Sequence, residues 1–319
     1  MRITIVSPGR RGLDTGNQVT ARRWARLLRD LGHQVKVQPE YDGWPADVLV
    51  ALHARKSFPS LEGFRRDRPG RAVIVALTGT DLYGDIRTSA EARRSLGLAD
   101  RLVLLQPAGL EELSRPARAK ARVIHQSATR PRGNFPPRKD AFEVVMLAHL
   151  RAVKDPLRAA AAARLRPASS RLRVVHAGAA LSAEAARAAR REQASNPRYR
   201  WLGPLPRWRA LRLLARARAL VLSSRMEGGA NVLSEAVACS VPVLCSRIRG
   251  SLGILGPHHP GYFEVGDTRG LASLLARAEE DRAFLADLRR RGRSLAQLVS
   301  PGRERECWRR LLRELGGRD

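Results

Sequence analysis

Short apolar strands and amphipathic helices alternate along the whole chain, a pattern that admits little besides parallel sheets wrapped by helices. Strand signals stand at Ile3 to Val6, Val35 to Gln38, Asp47 to Leu52, Ala72 to Thr78, Arg101 to Leu105 and Arg122 to His125. After the first of these, a glycine-bearing loop leads into an amphipathic helix from Asn17 to Leu31, stopped by Gly32. Residues 130–140, RPRGNFPPRKD, break the pattern with linker chemistry. It restarts at Phe142 to Ala148 and continues through Leu172 to Ala177, Tyr199 to Gly203, Ala219 to Leu222, Pro242 to Cys245 and Tyr262 to Val265. A chain of 319 residues exceeds what one core usually organises. The expectation is an α/β protein of two Rossmann-like, doubly wound domains, 1–135 and 136–300, with a C-terminal helix in 301–319 packing back across their junction. Open parallel sheets bind ligands outside the carboxyl ends of their strands, so the two domains are expected to face a cleft.

Residues 223–236, SSRMEGGANVLSEA, follow one of these strands and open the next helix. Gly228 and Gly229 let backbone N–H groups approach a ligand, and the helix beginning near Asn231 turns its positive end toward the loop. That combination suits a phosphate. Glu227 and Glu235 would be repelled by a phosphate they touched, so they suit hydroxyl donors instead. Val232, Leu233, Ala236 and Val237 surround Glu235 with apolar side chains, where an unpaired carboxylate is costly; it needs a partner. A ligand that carries both phosphates and hydroxyls is a sugar nucleotide.

The formal net charge of +29 raises the possibility of a polyanion partner. The basic residues, however, are 54 Arg and 5 Lys spread over almost every expected helix, with aromatics at 5% and no recognition motif. We read this as compositional bias and expect no nucleic-acid partner. Cys239, Cys245 and Cys307 have no zinc spacing and read as reduced thiols. No apolar run approaches the ~18 residues of a membrane helix, and the N-terminus enters a strand without a leader pattern, so the expectation is a cytoplasmic protein with no membrane partner.

Lys154, in His149-Leu150-Arg151-Ala152-Val153-Lys154, stands out in a chain so poor in lysine, and it follows the first strand of the second domain. Arg151 and Lys154 are placed to neutralise a diphosphate leaving group. No DxD pair occurs, so no carboxylate clamp for a metal-bound nucleotide is present and no metal is expected. The loop Ser7 to Asn17 has glycines, including Gly16, but neither a dinucleotide fingerprint nor a Walker lysine. Polar residues at other strand ends of the first domain, His53, Arg55, Lys56, Thr78, Gly79, Thr80, Asp81 and Gln106, with Arg10, Arg11 and Asn17 of the first loop, are expected on the acceptor side, and the basic members suggest that the acceptor is anionic.

The two-domain plan with Glu227 and Glu235 in this spacing resembles the GT-B glycosyltransferases of the retaining family 4 type. The resemblance implies Glu235 on the ribose hydroxyls, Glu227 on the donor-sugar hydroxyls, and backbone contacts to sugar and phosphate from Gly229, Ala230, Asn231 and Val232. The family's basic pair is an Arg with a Lys five residues on; here His149 holds the Arg place and Arg151 is displaced.

Segments spread from residue 1 to about 313, namely GNQVTARRWARLLRDLGHQV, ALHARKS, LTGTDLY, HLRAVKDP and EGGANVLSEA, resemble the selenosugar synthases of selenoneine biosynthesis. This implies transfer of a sugar from a UDP-sugar, UDP-N-acetylglucosamine or UDP-glucose, to the selenium of selenophosphate, with no cofactor. Hydrolysis of the Se–P bond would follow, with Asp81 or His53 as the expected assistant. An ordinary GT-B enzyme with an oxygen acceptor is the alternative, and a basic nucleic-acid binder ranks below it.

Overall fold

The structure, a computed structural model, describes residues 1–9 and 15–316, so the expected acceptor cations Arg10 and Arg11 lie outside the described residues. By its contacts the chain forms two units, one of 1–127, 227–231 and 298 onward, the other of 128–226 and 232–297.

In the first unit, β1 (Arg2–Val6), β2 (Gln34–Gln38), β3 (Val48–Leu52), β4 (Ala72–Leu77), β5 (Arg101–Leu104) and β6 (Ala121–Val123) form one sheet. Their order is β2-β1-β3-β4-β5-β6, with every pair parallel. All five residues of β3, VLVAL, are buried, as a strand covered by helices on both faces requires. Trp24 and Leu28 of the first helix pack on one face with Trp308, Leu311 and Leu312. Leu61 and Phe64 pack on the other. The first helix, Gly16–Asp30, starts a residue earlier than the apolar pattern indicates. The reason is a capping box: the Thr15 hydroxyl accepts from the Gln18 N–H at 3.4 Å and the Gln18 side chain accepts from the Thr15 N–H at 3.0 Å.

The terminal helix, Pro301–Gly316, belongs to the first unit, and Trp308 meets the Trp24 ring edge-on at 4.8 Å between centroids. One turn before Trp308, Glu304 is buried with its carboxylate on four donors. It accepts from Trp24 Nε1 at 2.7 Å, Arg23 Nε at 3.0 Å, the Ser127 N–H at 2.9 Å and the Ser127 hydroxyl. A buried carboxylate is tolerable only when paired and hydrogen-bonded to this extent.

In the second unit, β7 (Phe142–Leu147), β8 (Leu172–Ala177), β9 (Tyr199–Trp201), β10 (Ala219–Leu222), β11 (Val243–Ser246) and β12 (Tyr262–Phe263) form a second parallel sheet, ordered β12-β11-β10-β7-β8-β9. The Arg158–Arg164 helix buries Ala159, Ala160, Ala162 and Ala163 in this unit's core, where small side chains let it lie close. β11 begins at Val243 rather than Pro242, since proline has no N–H for the ladder. Among the described residues no helix is long and apolar enough to cross a membrane.

Glu304→Ala is expected to strand the Arg23 guanidinium and the Trp24 and Ser127 donors. The loss should be about 3 to 5 kcal/mol of unfolding free energy, read from the denaturation midpoint in urea.

Candidate functional site

Parallel strands present their carboxyl ends together, and most of the residues singled out in the sequence stand there. In the second unit, the segment after β7 runs through His149 into a single 3-10 turn, Ala152–Lys154. Gly178, at the end of β8, lies so close to it that a Cβ would sit 1.8 Å from the Ala148 carbonyl oxygen. The Ala179 N–H donates to His149 Nδ1 at 3.1 Å, fixing the ring that stands where the family's arginine is expected. Asp155, at φ 44°, ends the turn in a left-handed conformation. The Ser223 hydroxyl, just after β10, donates to the carbonyls of Lys154 at 3.2 Å and Asp155 at 2.9 Å, and the Arg225 N–H donates to the Val153 carbonyl at 2.8 Å. Lys154 is thereby fixed by its backbone to the segment that leads into Glu227. Arg151 is exposed.

Glu235 lies on the Asn231–Ala238 helix and is 6% exposed. The partner it requires is Arg207, whose Nη1 is 2.6 Å from Glu235 Oε1. The contact is an ion pair, and Oε1 is buried beneath it. Arg207 opens the Arg207–Arg216 helix, with its side chain 42% exposed. Nothing in the sequence distinguishes this arginine from the others; only the apolar surroundings of Glu235 announce that some cation must reach it.

The loop Glu227 to Asn231 belongs by its contacts to the first unit. Its glycines answer to a constraint the sequence does not disclose. A Cβ on Gly228 would fall 2.5 Å from the Thr78 carbonyl carbon and 2.6 Å from the Gly79 nitrogen, and one on Gly229 would fall 2.5 Å from Leu105 Cβ. Gly79, at φ 138°, would in turn press a Cβ to 2.9 Å from the Gly228 nitrogen. Packing of chain on chain therefore requires glycine at both 228 and 229. Glu227 heads the loop, 9% exposed, and Ala230 and Val232 are also buried.

Asn231 is the first residue of its helix, and its side chain is taken up by the protein. Its Oδ1 accepts from Arg23 Nη1 at 2.7 Å, and its Nδ2 donates to the Gly16 carbonyl at 3.2 Å and to Thr20 Oγ1 at 3.3 Å. Arg23, Gln126 and Glu304, none of them marked by the sequence, complete this arrangement.

At the ends of β3 and β4, Asp81 and His53 are both bound to the protein's own groups. Asp81 is fully buried, and its carboxylate accepts from the backbone N–H groups of Thr78 at 2.8 Å, Gly79 at 2.9 Å and Ala54 at 2.9 Å. It braces two loops from a buried position. His53 sits at φ 78°, a left-handed conformation that costs a non-glycine residue about 1 kcal/mol or more. Its Nδ1 accepts from the Lys56 N–H at 3.4 Å, which leaves the proton on Nε2, 3.1 Å from Thr80 Oγ1. Burial pushes its pKa below the ordinary histidine value. Both ring nitrogens thus meet groups of the protein, with Asp85 Oδ2 3.7 Å from Nε2. Arg55 and Lys56 are exposed, Arg55 pairing with Asp85 at 3.0 Å. Asn17 Nδ2 donates to Thr78 Oγ1 at 3.2 Å, which ties the first helix, where Gly16 is the opening residue, to the end of β4. Among the described residues no three His, Cys, Asp or Glu side chains converge as metal ligands.

Asp81→Asn replaces acceptor lone pairs with an N–H that faces a backbone donor. It is expected to lower unfolding free energy by about 1 to 3 kcal/mol, measured by denaturant titration.

Comparison with known proteins agrees with this architecture. Solved structures with the same fold include Anabaena HepE in complex with UDP and glucose, 16% identical, covering 98% of this chain and 100% of HepE, with a TM-score of 0.77. The sucrose-phosphate synthase of Thermosynechococcus elongatus is 17% identical over 100% of both chains, with a TM-score of 0.80. A glycosyltransferase from Rickettsia africae is 12% identical over 100% of this chain and 99% of its own, with a TM-score of 0.74. No curated protein matches the sequence. The family model of the glycosyl transferases group 1 matches residues 129–295, more than half of the chain and the whole stretch from the linker through Lys154 and Arg207 to Glu235, and the protein belongs to that family.

Proposed function

We propose that the protein transfers the sugar of a UDP-sugar to the selenium of selenophosphate, and that phosphate is then lost to give a selenosugar. One observation carries the donor half of this reading. Glu235 is a buried carboxylate paired with the partly exposed Arg207, on the helix that follows the Glu227 loop. A ribose hydroxyl is a donor from which such a carboxylate accepts, and the loss of that bond would be felt because the group is desolvated. In this reading Glu227 accepts from donor-sugar hydroxyls, and Lys154 and Arg151 neutralise the diphosphate. Backbone N–H groups of the 229–232 segment contact sugar and phosphate. The structurally similar HepE has been solved with UDP-glucose, which supports a uridine nucleotide as donor.

The acceptor half rests on the five segments that resemble selenosugar synthases and on the chemistry of the first unit's strand ends. An alcohol acceptor needs a base to remove its proton, whereas the selenium of selenophosphate is already anionic. The two base candidates, His53 and Asp81, are both occupied by protein donors and acceptors. The exposed cations Arg55 and Lys56 suit a multiply charged acceptor, as do Arg10 and Arg11. The first step forms the C1–Se bond and releases UDP. In the second, water cleaves the Se–P bond, giving the selenol and inorganic phosphate. Neither step calls on a metal in this reading, since cationic side chains balance the leaving-group charge. The free thiols of Cys239, Cys245 and Cys307 suit a cytoplasmic enzyme.

Mass spectrometry of reactions containing UDP-glucose or UDP-N-acetylglucosamine and enzymatically generated selenophosphate tests the proposal. A product with the selenium isotope pattern on one hexose or N-acetylhexosamine is expected, and it should disappear with Glu235→Ala. Donor consumption only in the presence of an alcohol acceptor, with no selenium in any product, would overturn the acceptor assignment.

A further inference from the structure

The Gln126 side chain follows β6, is 3% exposed, and meets the carbonyl of Gly229 in the loop that leads from Glu227 into the Asn231–Ala238 helix. Its orientation is fixed by chemistry. Gln126 Oε1 accepts from Arg23 Nη2 at 2.7 Å and from the Thr20 hydroxyl at 2.7 Å. A guanidinium has no acceptor, so the end of the amide that faces Arg23 is the oxygen, and the end that donates to the Gly229 carbonyl is the Nε2 amine. Arg23 is itself held on the Glu304 carboxylate through Nε at 3.0 Å and on Asn231 Oδ1 through Nη1 at 2.7 Å. The guanidinium thus reaches both ends of the loop's exit, Gln126 on one side and Asn231 on the other.

The consequence lies in the next peptide. In a trans peptide plane the carbonyl and the following N–H point in opposite directions, and none of the described peptides is cis. With the Gly229 carbonyl turned to Gln126, the Ala230 N–H is aimed the other way, ahead of the first turn of a helix whose own leading N–H groups have no intrahelical acceptors. Ala230 is buried, 7% exposed.

We infer that Gln126, oriented by Arg23 and Thr20, is a positioning residue for the donor's diphosphate: it turns the Gly229–Ala230 peptide so that the Ala230 N–H is directed at a phosphate oxygen. The inference rests on the proposed reading of the 229–232 segment as a donor contact. Glu304 stands one step behind, as the anion that keeps Arg23 in place.

Isothermal titration of the full-length protein with UDP and with uridine tests it, because the ratio of the two affinities isolates the contribution of the phosphates. In Gln126→Glu a carboxylate oxygen faces the Gly229 carbonyl and can no longer donate to it at neutral pH. The preference for UDP over uridine is expected to shrink roughly tenfold or more, the loss of one hydrogen bond to a charged group, while uridine affinity stays within about twofold. A merely structural role would lower the melting temperature and weaken both ligands alike; an unchanged ratio would therefore overturn the inference. Arg23→Lys supplies a second variant should Gln126→Glu fail to fold, since one ammonium cannot serve Gln126, Asn231 and Glu304 together, and the same ratio decides. Wild-type protein that binds UDP no better than uridine would overturn the phosphate reading of the loop itself, and this inference with it. Clear wild-type preference retained by both variants would overturn only the role of Gln126.

Discussion

The loop from Glu227 to Asn231 has almost no freedom left, and the close passage of its backbone along Thr78 and Gly79 is the constraint on which the rest of the site depends. At Gly228 even one methyl group has no room, because its nearest neighbours are peptide atoms rather than pliable side chains. Hydrogen bonds complete what sterics begin. The Gly229 carbonyl is taken by Gln126, and the Asn231 side chain by Arg23, Gly16 and Thr20. Behind them Glu304 collects Arg23, Trp24 and Ser127, so the terminal helix serves the loop as well as the core. Each of these polar groups is satisfied, which is the condition under which a buried network rigidifies rather than weakens a fold.

The same account gives each half of the glutamate-bearing element its own support. Glu227 heads a segment that packs within the first unit, whereas Glu235 lies four residues into a helix whose body belongs to the second and is met there by Arg207. In the proposed reaction the first carboxylate serves the sugar and the second the ribose. The second unit also holds the backbone around Lys154, by the Ser223 hydroxyl on the Lys154 carbonyl and the Arg225 N–H on the Val153 carbonyl. In the proposed reaction, a main chain held in this way suits a cation that balances leaving-group charge.

How much of this was legible in the sequence follows from the range of each signal. Parallel strands such as VLVAL at Val48–Leu52 are marked by continuous apolar runs, and Leu172–Ala177 and Ala219–Leu222 have the bounds their residues suggest. The helix at Asn231 is announced by its glycine pair. Contacts distant in sequence leave no such mark. Arg207 is one arginine among 54, and Gln126 lies 103 residues from the carbonyl it holds. Asp81 is legible as a carboxylate at a strand end, but the three backbone N–H groups it accepts from, one of them from Ala54, are not. The glycines at 228 and 229 are conspicuous in the sequence, but their close approach to Thr78, Gly79 and Leu105 is not.

The most direct test of the central claim is a crystal structure of the protein with UDP bound. The account predicts a ribose hydroxyl about 2.5 to 3.2 Å from a Glu235 carboxylate oxygen, with the nucleoside beside Arg207. Density for the nucleotide at any other place, with Glu235 meeting only Arg207, would contradict it.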